Sequence, residues 1–214
     1  MLEFVLDFLF PTKCGFCRRI HKEGLCPKCT YKLKQISQCK IIKVKNFYFD
    51  YHAYLFCYKE EIRNKIIDFK FNDKPYIAKS FIYFLIKNEK ICGFLKKYDI
   101  IVPVPMYTKK KATRGYNQAE LLAQELARKI GDIQYRSDIL IKILDTKKQS
   151  TLNKQQRSQN LIGAYKINNS EIIQNKNVIL IDDIFTTGST ANECSKVLKQ
   201  AGANNICVLT IAKD

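Results

Sequence analysis

The last third of the chain carries the clearest pattern of apolar and polar positions. Val178–Ile181 is a continuous apolar run suited to a strand buried on both faces, and Thr186–Thr190 is a polar turn. Ala191–Ala201 follows as a helix with Val197 and Leu198 turned inward, Gly202 caps it, and Ile206–Ile211 forms a further strand. Strand, helix and strand in this order predict a right-handed crossover in a parallel sheet. Upstream, Tyr51–Tyr58 reads as a strand, Glu60–Phe71 and Tyr76–Lys87 as helices, and Asp99–Val102 as a short buried strand entering Pro103 and Pro105. A basic loop comes next, then an amphipathic helix over Gln118–Ile130, a strand near Ile139–Leu144 and a polar stretch, Asp145–Gln159. At the other end, Leu2, Val5, Leu6 and Leu9 recur at helical spacing until Pro11, which predicts a short docking helix. The whole is a doubly wound α/β pattern with a mainly parallel sheet.

The apolar opening is interrupted by Glu3 and Asp7 and is too short to cross a bilayer, and no other stretch approaches a membrane span. A soluble, cytoplasmic protein is therefore expected. With 214 residues there is room for one full-sized core and a smaller appendage, and 46% hydrophobic residues exclude a disordered chain. The formal net charge of +17 attracts polyanions. Lysine is abundant throughout, however, so clustering matters more than the sum. Lys13–Lys45 does cluster, with Arg18, Arg19, Lys22, Lys28, Lys32, Lys34, Lys40 and Lys43 between its ends and Glu23 as its one carboxylate. This segment suits either nucleic acid or a solvated charged surface.

Nine cysteines are an odd number, and no secretion signal accompanies them, so reduced thiols are expected. Cys14, Cys17, Cys26 and Cys29 form two CxxC pairs separated by eight residues. Each CxxC turn sets two thiolates on one side of a metal, and two turns complete a tetrahedron, which predicts a compact structural Zn²⁺ site. Four thiolates give such a site a formal charge of about −2, so part of the surrounding basic excess neutralises it. His21 is a weaker substitute ligand and His52, in a strand, a structural residue. Cys39, Cys57, Cys92, Cys194 and Cys207 sit apart among apolar neighbours and are assigned to packing.

The chemistry concentrates at Val178–Thr190. Ligands of open parallel sheets bind beyond the carboxyl ends of the strands, where this run places Asp182 and Asp183. Thr186, Thr187, Ser189 and Thr190 supply hydroxyls, Gly188 lets a ligand approach the backbone, and the following helix offers unpaired amides. That combination suits a phosphate monoester. Neighbouring acids disfavour an anion unless the ligand also carries groups that want them, and ribose hydroxyls do. A ribose 5-phosphate satisfies both halves; a plain helix cap needs only one hydroxyl.

The thirteen-residue run VILIDDIFTTGST, Val178–Thr190, resembles the diphosphoribosyl signature of type I phosphoribosyltransferases, and with its two preceding residues (KNVILIDDIFTTGST, Lys176–Thr190) it is also a segment of the family named next. Three further segments narrow the resemblance to the ComF/ComFC family of competence-associated, phosphoribosyltransferase-like proteins. They are Asp7–Cys29 (DFLFPTKCGFC…LCPKC), Tyr98–Leu122 (YDIIVPVP…RGYNQAELL) and Gln149–Ala164 (QSTLNKQQRSQNLIGA). The resemblance implies a phosphoribosyltransferase-type fold over 47–214, preceded by a docking helix and zinc module over 1–46. It also implies that Asp182 and Asp183 bind the ribose and Thr186–Thr190 the phosphate. A pyrophosphate loop then falls on Pro103–Asn117, where Lys109, Lys110, Lys111 and Arg114 supply charge and Gly115 room, with Arg114 foremost because its planar fork matches phosphate oxygens. A mobile hood falls on Asp145–Gln159. There Lys147, Lys148 and Arg157 face the leaving pyrophosphate, while Gln149 and Asn160 hold the loop. The implied ligands are phosphoribosyl diphosphate with Mg²⁺, and the implied partners are single-stranded DNA and DNA-uptake or DNA-processing proteins. The implied function is a competence protein that handles incoming single-stranded DNA in natural transformation. The alternative is an active transferase joining a 5-phosphoribosyl group to a nucleobase with release of pyrophosphate. No aromatic or amide group in the sequence is visibly committed to a base.

Overall fold

A computed structural model describes residues 11–146 and 160–214. Its centre is a six-stranded sheet in the order β1-β2-β8-β7-β3-β4. The strands are β1 (Ser37–Lys43), β2 (Tyr51–Cys57), β3 (Ile100–Pro103), β4 (Gln134–Tyr135), β7 (Val178–Phe185) and β8 (Ile206–Lys213). Only β1 runs antiparallel to its neighbour; every other pairing is parallel. A two-stranded hairpin, β5 (Leu140–Lys142) with β6 (Tyr165–Ile167), stands apart.

Side chains alternate across the strands and feed two cores. Ile101, Ile179, Ile181, Leu209 and Ile211 face one layer, made by α1 (Pro27–Ile36), α2 (Glu60–Phe71), α3 (Ile77–Ile86), α4 (Glu89–Leu95) and α6 (Gln118–Ile130). Val102, Val178, Leu180, Ile206 and Val208 face the other, made by α7 (Ser189–Gln200) and the hairpin. Helices on both faces of a mainly parallel sheet are the doubly wound arrangement expected. Leu33 of α1 and Leu25 of the cysteine segment lie in the first core, so that segment shares its apolar interior with α2, α3 and α6.

The amphipathic stretch at Gln118 forms a helix with the expected bounds. It buries Leu122, Ala123 and Leu126, and Asn117 caps it by accepting from the Ala119 N–H at 3.1 Å. The basic loop expected before it is in part a helix, α5 (Thr108–Arg114). Its lysines and alanine favour the helical state, and Gly115, at φ +84°, ends it. β1 was not legible in the basic cluster; Cys39, at φ +45°, marks a register irregularity there, and lysines guard its free edge. β7 runs past the four apolar residues to Phe185, so both aspartates lie within the strand.

Candidate functional site

Alternation along β7 sends its two acids to opposite faces. Asp183 follows Ile179 and Ile181 toward α2, where its Oδ2 lies 3.0 Å from the Lys70 ammonium; the Asp183 residue is 7% exposed. Asp182 follows Leu180 toward α7 and the hairpin, and its Oδ1 accepts the Asp183 N–H at 2.8 Å. Burial, and then the charge of Asp183, raise the Asp182 pKa to about 7, against the pull of Lys70 and Lys142. The pair is thus unequal: one carboxylate is ion-paired, the other poised to share a proton near neutrality.

The turn beyond the acids gathers hydroxyls around a crowded glycine. Gly188 has φ +77°, and a Cβ built there would meet the Phe185 ring at 2.5 Å and the Phe47 ring at 3.0 Å, so only glycine fits. The Thr187 and Ser189 hydroxyls lie 2.8 Å apart, and the Ser189 N–H points to Thr187 Oγ1 at 3.4 Å. α7 starts at Ser189 with no side-chain cap from Gly188, and Thr186 is exposed at the rim. Hydroxyls and helix-end amides are therefore gathered at one point, ready for an anion.

The expected pyrophosphate side is built from the end of β3 and α5. Lys110 donates to the Thr146 carbonyl at 2.6 Å and lies 3.3 Å from Asp145; Lys111 pairs with Glu120 at 2.7 Å. Arg114 donates to Gln118 Oε1 at 2.9 Å and lies over the Phe71 ring, 5.0 Å from its centroid. A cleft of about 290 Å³ opens between this wall and β5, lined in part by Pro103, Met106, Lys111, Glu120 and Lys142. Of the expected hood, Lys147, Lys148, Gln149 and Arg157 lie outside the described residues, while Asn160 falls at a turn.

Two lysines at this site escaped the sequence reading. Lys70 sits at the end of an ordinary amphipathic helix, where nothing local signals a distant carboxylate. Lys142 donates to Thr146 Oγ1 at 2.8 Å and lies 5.4 Å from the centre of the Tyr165 ring. Burial, then Lys110, lower its pKa, and Asp182 acts in the opposite sense. A single lysine in a short strand carries no such message.

The four cysteines of the CxxC pairs converge, their sulfurs all lying within 4.8 Å of one another. Cys17 and Cys26 Sγ stand 3.6 Å apart, near the edge of about 3.8 Å that a tetrahedron with Zn–S bonds of about 2.3 Å requires. Burial alone would raise Cys14, but the N–H groups of Cys17, Cys26 and Phe16 bring it down to about 7, while burial and its sulfur neighbours push Cys29 up. Such a cluster can hold a metal ion. His21 is not part of it. All nine cysteines are free thiols; Cys194 and Cys207 are fully buried and Cys39, Cys57 and Cys92 half-buried. His52 is buried, 2.9 Å from Thr210 Oγ1 and stacked on Phe185, and burial lowers its pKa to about 3, so it is a neutral packing residue.

Comparison with known proteins agrees with this geometry. Residues 112–214 match the model of the phosphoribosyl transferase domain. Competence protein F of Haemophilus influenzae is 32% identical over 225 aligned positions, covering 95% of this chain and 98% of the relative. Competence protein ComFC of Streptococcus pneumoniae is 26% identical over 94% of this chain and 87% of its own. DNA utilization protein YhgH of Escherichia coli K12 is 31% identical over 115 residues, 54% of this chain and 49% of that protein. A doubly wound sheet with consecutive acids and a glycine turn, a four-cysteine cluster ahead of it, and end-to-end similarity to competence protein F place this chain in the ComF/ComFC family.

Proposed function

We propose that this chain binds phosphoribosyl diphosphate with Mg²⁺ at the carboxyl end of β7 and serves the cytoplasmic handling of incoming single-stranded DNA in natural transformation. The observation that carries the reading is the juxtaposition of Asp182 and Asp183 with the Gly188 turn, whose crowded glycine and gathered hydroxyls suit a ribose 5-phosphate. Asp182 and Asp183 accept from the ribose hydroxyls, and Thr186, Thr187, Gly188, Ser189 and Thr190 hold the 5-phosphate. Lys111 and Arg114 turn from Glu120, Gln118 and Phe71 to the diphosphate. Mg²⁺, when bound with the ligand, neutralises diphosphate charge that these side chains alone do not balance. The cysteine cluster holds Zn²⁺ in a structural role. Among the described residues no helix is long and apolar enough to cross a membrane.

Calorimetric titration tests the site. Wild type is expected to bind phosphoribosyl diphosphate with Mg²⁺, and Asp182→Asn/Asp183→Asn to lose about tenfold or more, since hydrogen bonds to charged groups are worth roughly 1.5–3 kcal/mol. Absence of binding by the wild type sinks the reading. The complete acid pair and turn also support the second reading, an active phosphoribosyltransferase of nucleotide metabolism. Release of pyrophosphate with one of a panel of nucleobases, abolished by Asp183→Ala, would decide for it.

The names of the relatives and the exposed Arg18, Arg19 and Lys22 beside the cysteine cluster support the DNA partner. Binding of single-stranded oligonucleotides is expected to weaken with salt, and glutamine at these three positions to flatten the log–log slope by roughly 2. DNA binding indifferent to salt and to these changes would remove the zinc module from the interface.

A further inference from the structure

A second cleft, of about 340 Å³, opens at the carboxyl ends of β2 and β8, lined in part by Lys40, Tyr54, Tyr58, Lys59, Lys213 and Asp214. Backbone pairing builds it: the Tyr58 N–H donates to the Lys213 carbonyl at 2.8 Å, and the Asp214 N–H to the Phe185 carbonyl at 2.9 Å. Lys40 reaches it through the irregularity at Cys39. In the register of Ser37 with Phe56, Cys39 would stand opposite Tyr54; the one-residue shift puts Lys40 there instead. Lys213 closes on the same tyrosine, its ammonium 5.6 Å from the ring centre. None of the three lysines is ion-paired with a described carboxylate, and Asp214, the one acid in the lining among the described residues, pairs with none of them. Three positive charges against one negative favour an anion in the cleft. The chain also leads there from the cysteine cluster. Lys34, exposed in the last turn of α1, accepts at its carbonyl from the Ser37 hydroxyl at 3.1 Å where β1 begins. A compact anion needs the cleft alone; a basic run leading into it, with tyrosines in the wall, suits an extended one.

We propose that this cleft seats a stretch of single-stranded nucleic acid, with its phosphates on Lys40, Lys59 and Lys213 and one base against the half-buried Tyr58. The proposal rests on the single-stranded DNA reading above and adds to it a second contact surface, carried by β1, β2 and β8 rather than by Arg18, Arg19 and Lys22. Lysines supply point charges that follow a phosphate backbone without reading its sequence, and an aromatic face accepts any base. Tyr54, 5% exposed and facing the Lys213 ammonium, positions that lysine instead of meeting the ligand. Ladder pairing sets Lys213 beside Phe185, so the cleft lies at the same end of the sheet as the acid pair, where open parallel sheets take their ligands.

Fluorescence anisotropy of a labelled oligothymidylate with the full chain, over a range of salt, tests the cleft. In Lys40→Gln/Lys59→Gln/Lys213→Gln the log–log dependence of affinity on salt is expected to flatten by roughly 2, three phosphate contacts at about 0.7 each. An unchanged melting temperature shows that the fold is kept. Tyr58→Leu is expected to weaken the oligothymidylate roughly tenfold and to leave an abasic deoxyribose-phosphate strand as in wild type. If the lysine variant keeps the wild-type slope while glutamine at Arg18, Arg19 and Lys22 lowers it, the cleft is refuted and the DNA reading stands. Equal weakening of both strands in Tyr58→Leu would reduce Tyr58 to a structural role and likewise overturn the proposal. Polyglutamate binding as tightly per charge as the oligothymidylate would overturn it in favour of an acidic protein partner. If wild type binds no single strand, both readings fall together.

Discussion

The molecule crowds like charges in two places and treats them differently. Near its start, four thiols converge within 4.8 Å, and burial, together with its sulfur neighbours, pushes the Cys29 thiol up. At the end of β7 two successive carboxylates project to opposite faces of the sheet, and Lys70 is already 3.0 Å from one of them. The cysteine cluster can take a cation from solution, whereas Asp183 already has the Lys70 ammonium beside it. On the reading proposed above, the first is a folding element and the second a site that exchanges partners without losing its scaffold.

The largest effect expected follows directly. A structural zinc ion contributes on the order of 10 kcal/mol to cages of this kind. Cys14, Cys26 and Cys29 lie in the same apolar core as Phe69, Phe81 and Leu126, so stripping the metal should disturb far more than the module. A strong zinc chelator is expected to lower the melting temperature sharply and expose apolar surface, measured by differential scanning calorimetry and dye binding. Metal analysis finding no bound zinc, or a melting curve indifferent to the chelator, would erase the distinction between the two clusters.

Next in size is the loss of the built-in cation. Lys70→Met strands Asp183, 7% exposed, without its partner, and removing one member of a buried ion pair costs roughly 3 kcal/mol. Chemical denaturation is expected to show that loss, and Lys70→Met/Asp183→Asn to recover most of it, because the stranded charge is gone. A double variant no better than the single would mean that Lys70 acts through packing alone.

What could be read beforehand divides along the same line. The acid pair, the Gly188 turn and the CxxC pairs each lie in one short stretch of sequence, where residue type and spacing already state the chemistry. α6 was legible to its last residue because Leu122, Ala123 and Leu126 repeat at helical spacing between Asn117 and Gly131. Lys70, Lys142, Phe71 and the hold of Tyr116 on Phe69 are contacts between elements far apart in the chain, and no local pattern encodes them. β1 was hidden because its apolar residues are few and lysines flank them, which is how an edge strand avoids self-association.

The pH dependence gives a smaller test, since Asp182 is only half-buried. Its folded pKa, about 7, is raised above that of an unfolded aspartate, so the folded chain holds a proton that the unfolded chain has lost. The contribution to stability is fully present below pH ~4 and disappears as pH rises through about 7. Denaturation midpoints between these limits are expected to fall with pH by a margin that Asp182→Asn removes. A slope unchanged in that variant would assign the titration to another group.

The smallest change expected lies where the cysteine segment meets the helical layer. Ser80 of α3 accepts the Gly15 N–H at 2.9 Å and donates to the Gly24 carbonyl, so one buried hydroxyl ties both strands of the cysteine loop to the larger core. A Cβ on Gly15 would come within 2.5 Å of that oxygen, which fixes the closeness of the fit. Ser80→Ala leaves a donor and an acceptor unpaired without adding bulk, for a loss of about 1–2 kcal/mol. If the cage acts on the rest of the molecule through this contact, the variant should also release zinc more readily to a competing chelator, while binding of ribose 5-phosphate at the far end of β7 stays as in wild type. Faster release with a preserved sugar-phosphate site would show that the two charge clusters share a core but not a function; loss of both together would show that the helical layer transmits the state of one to the other.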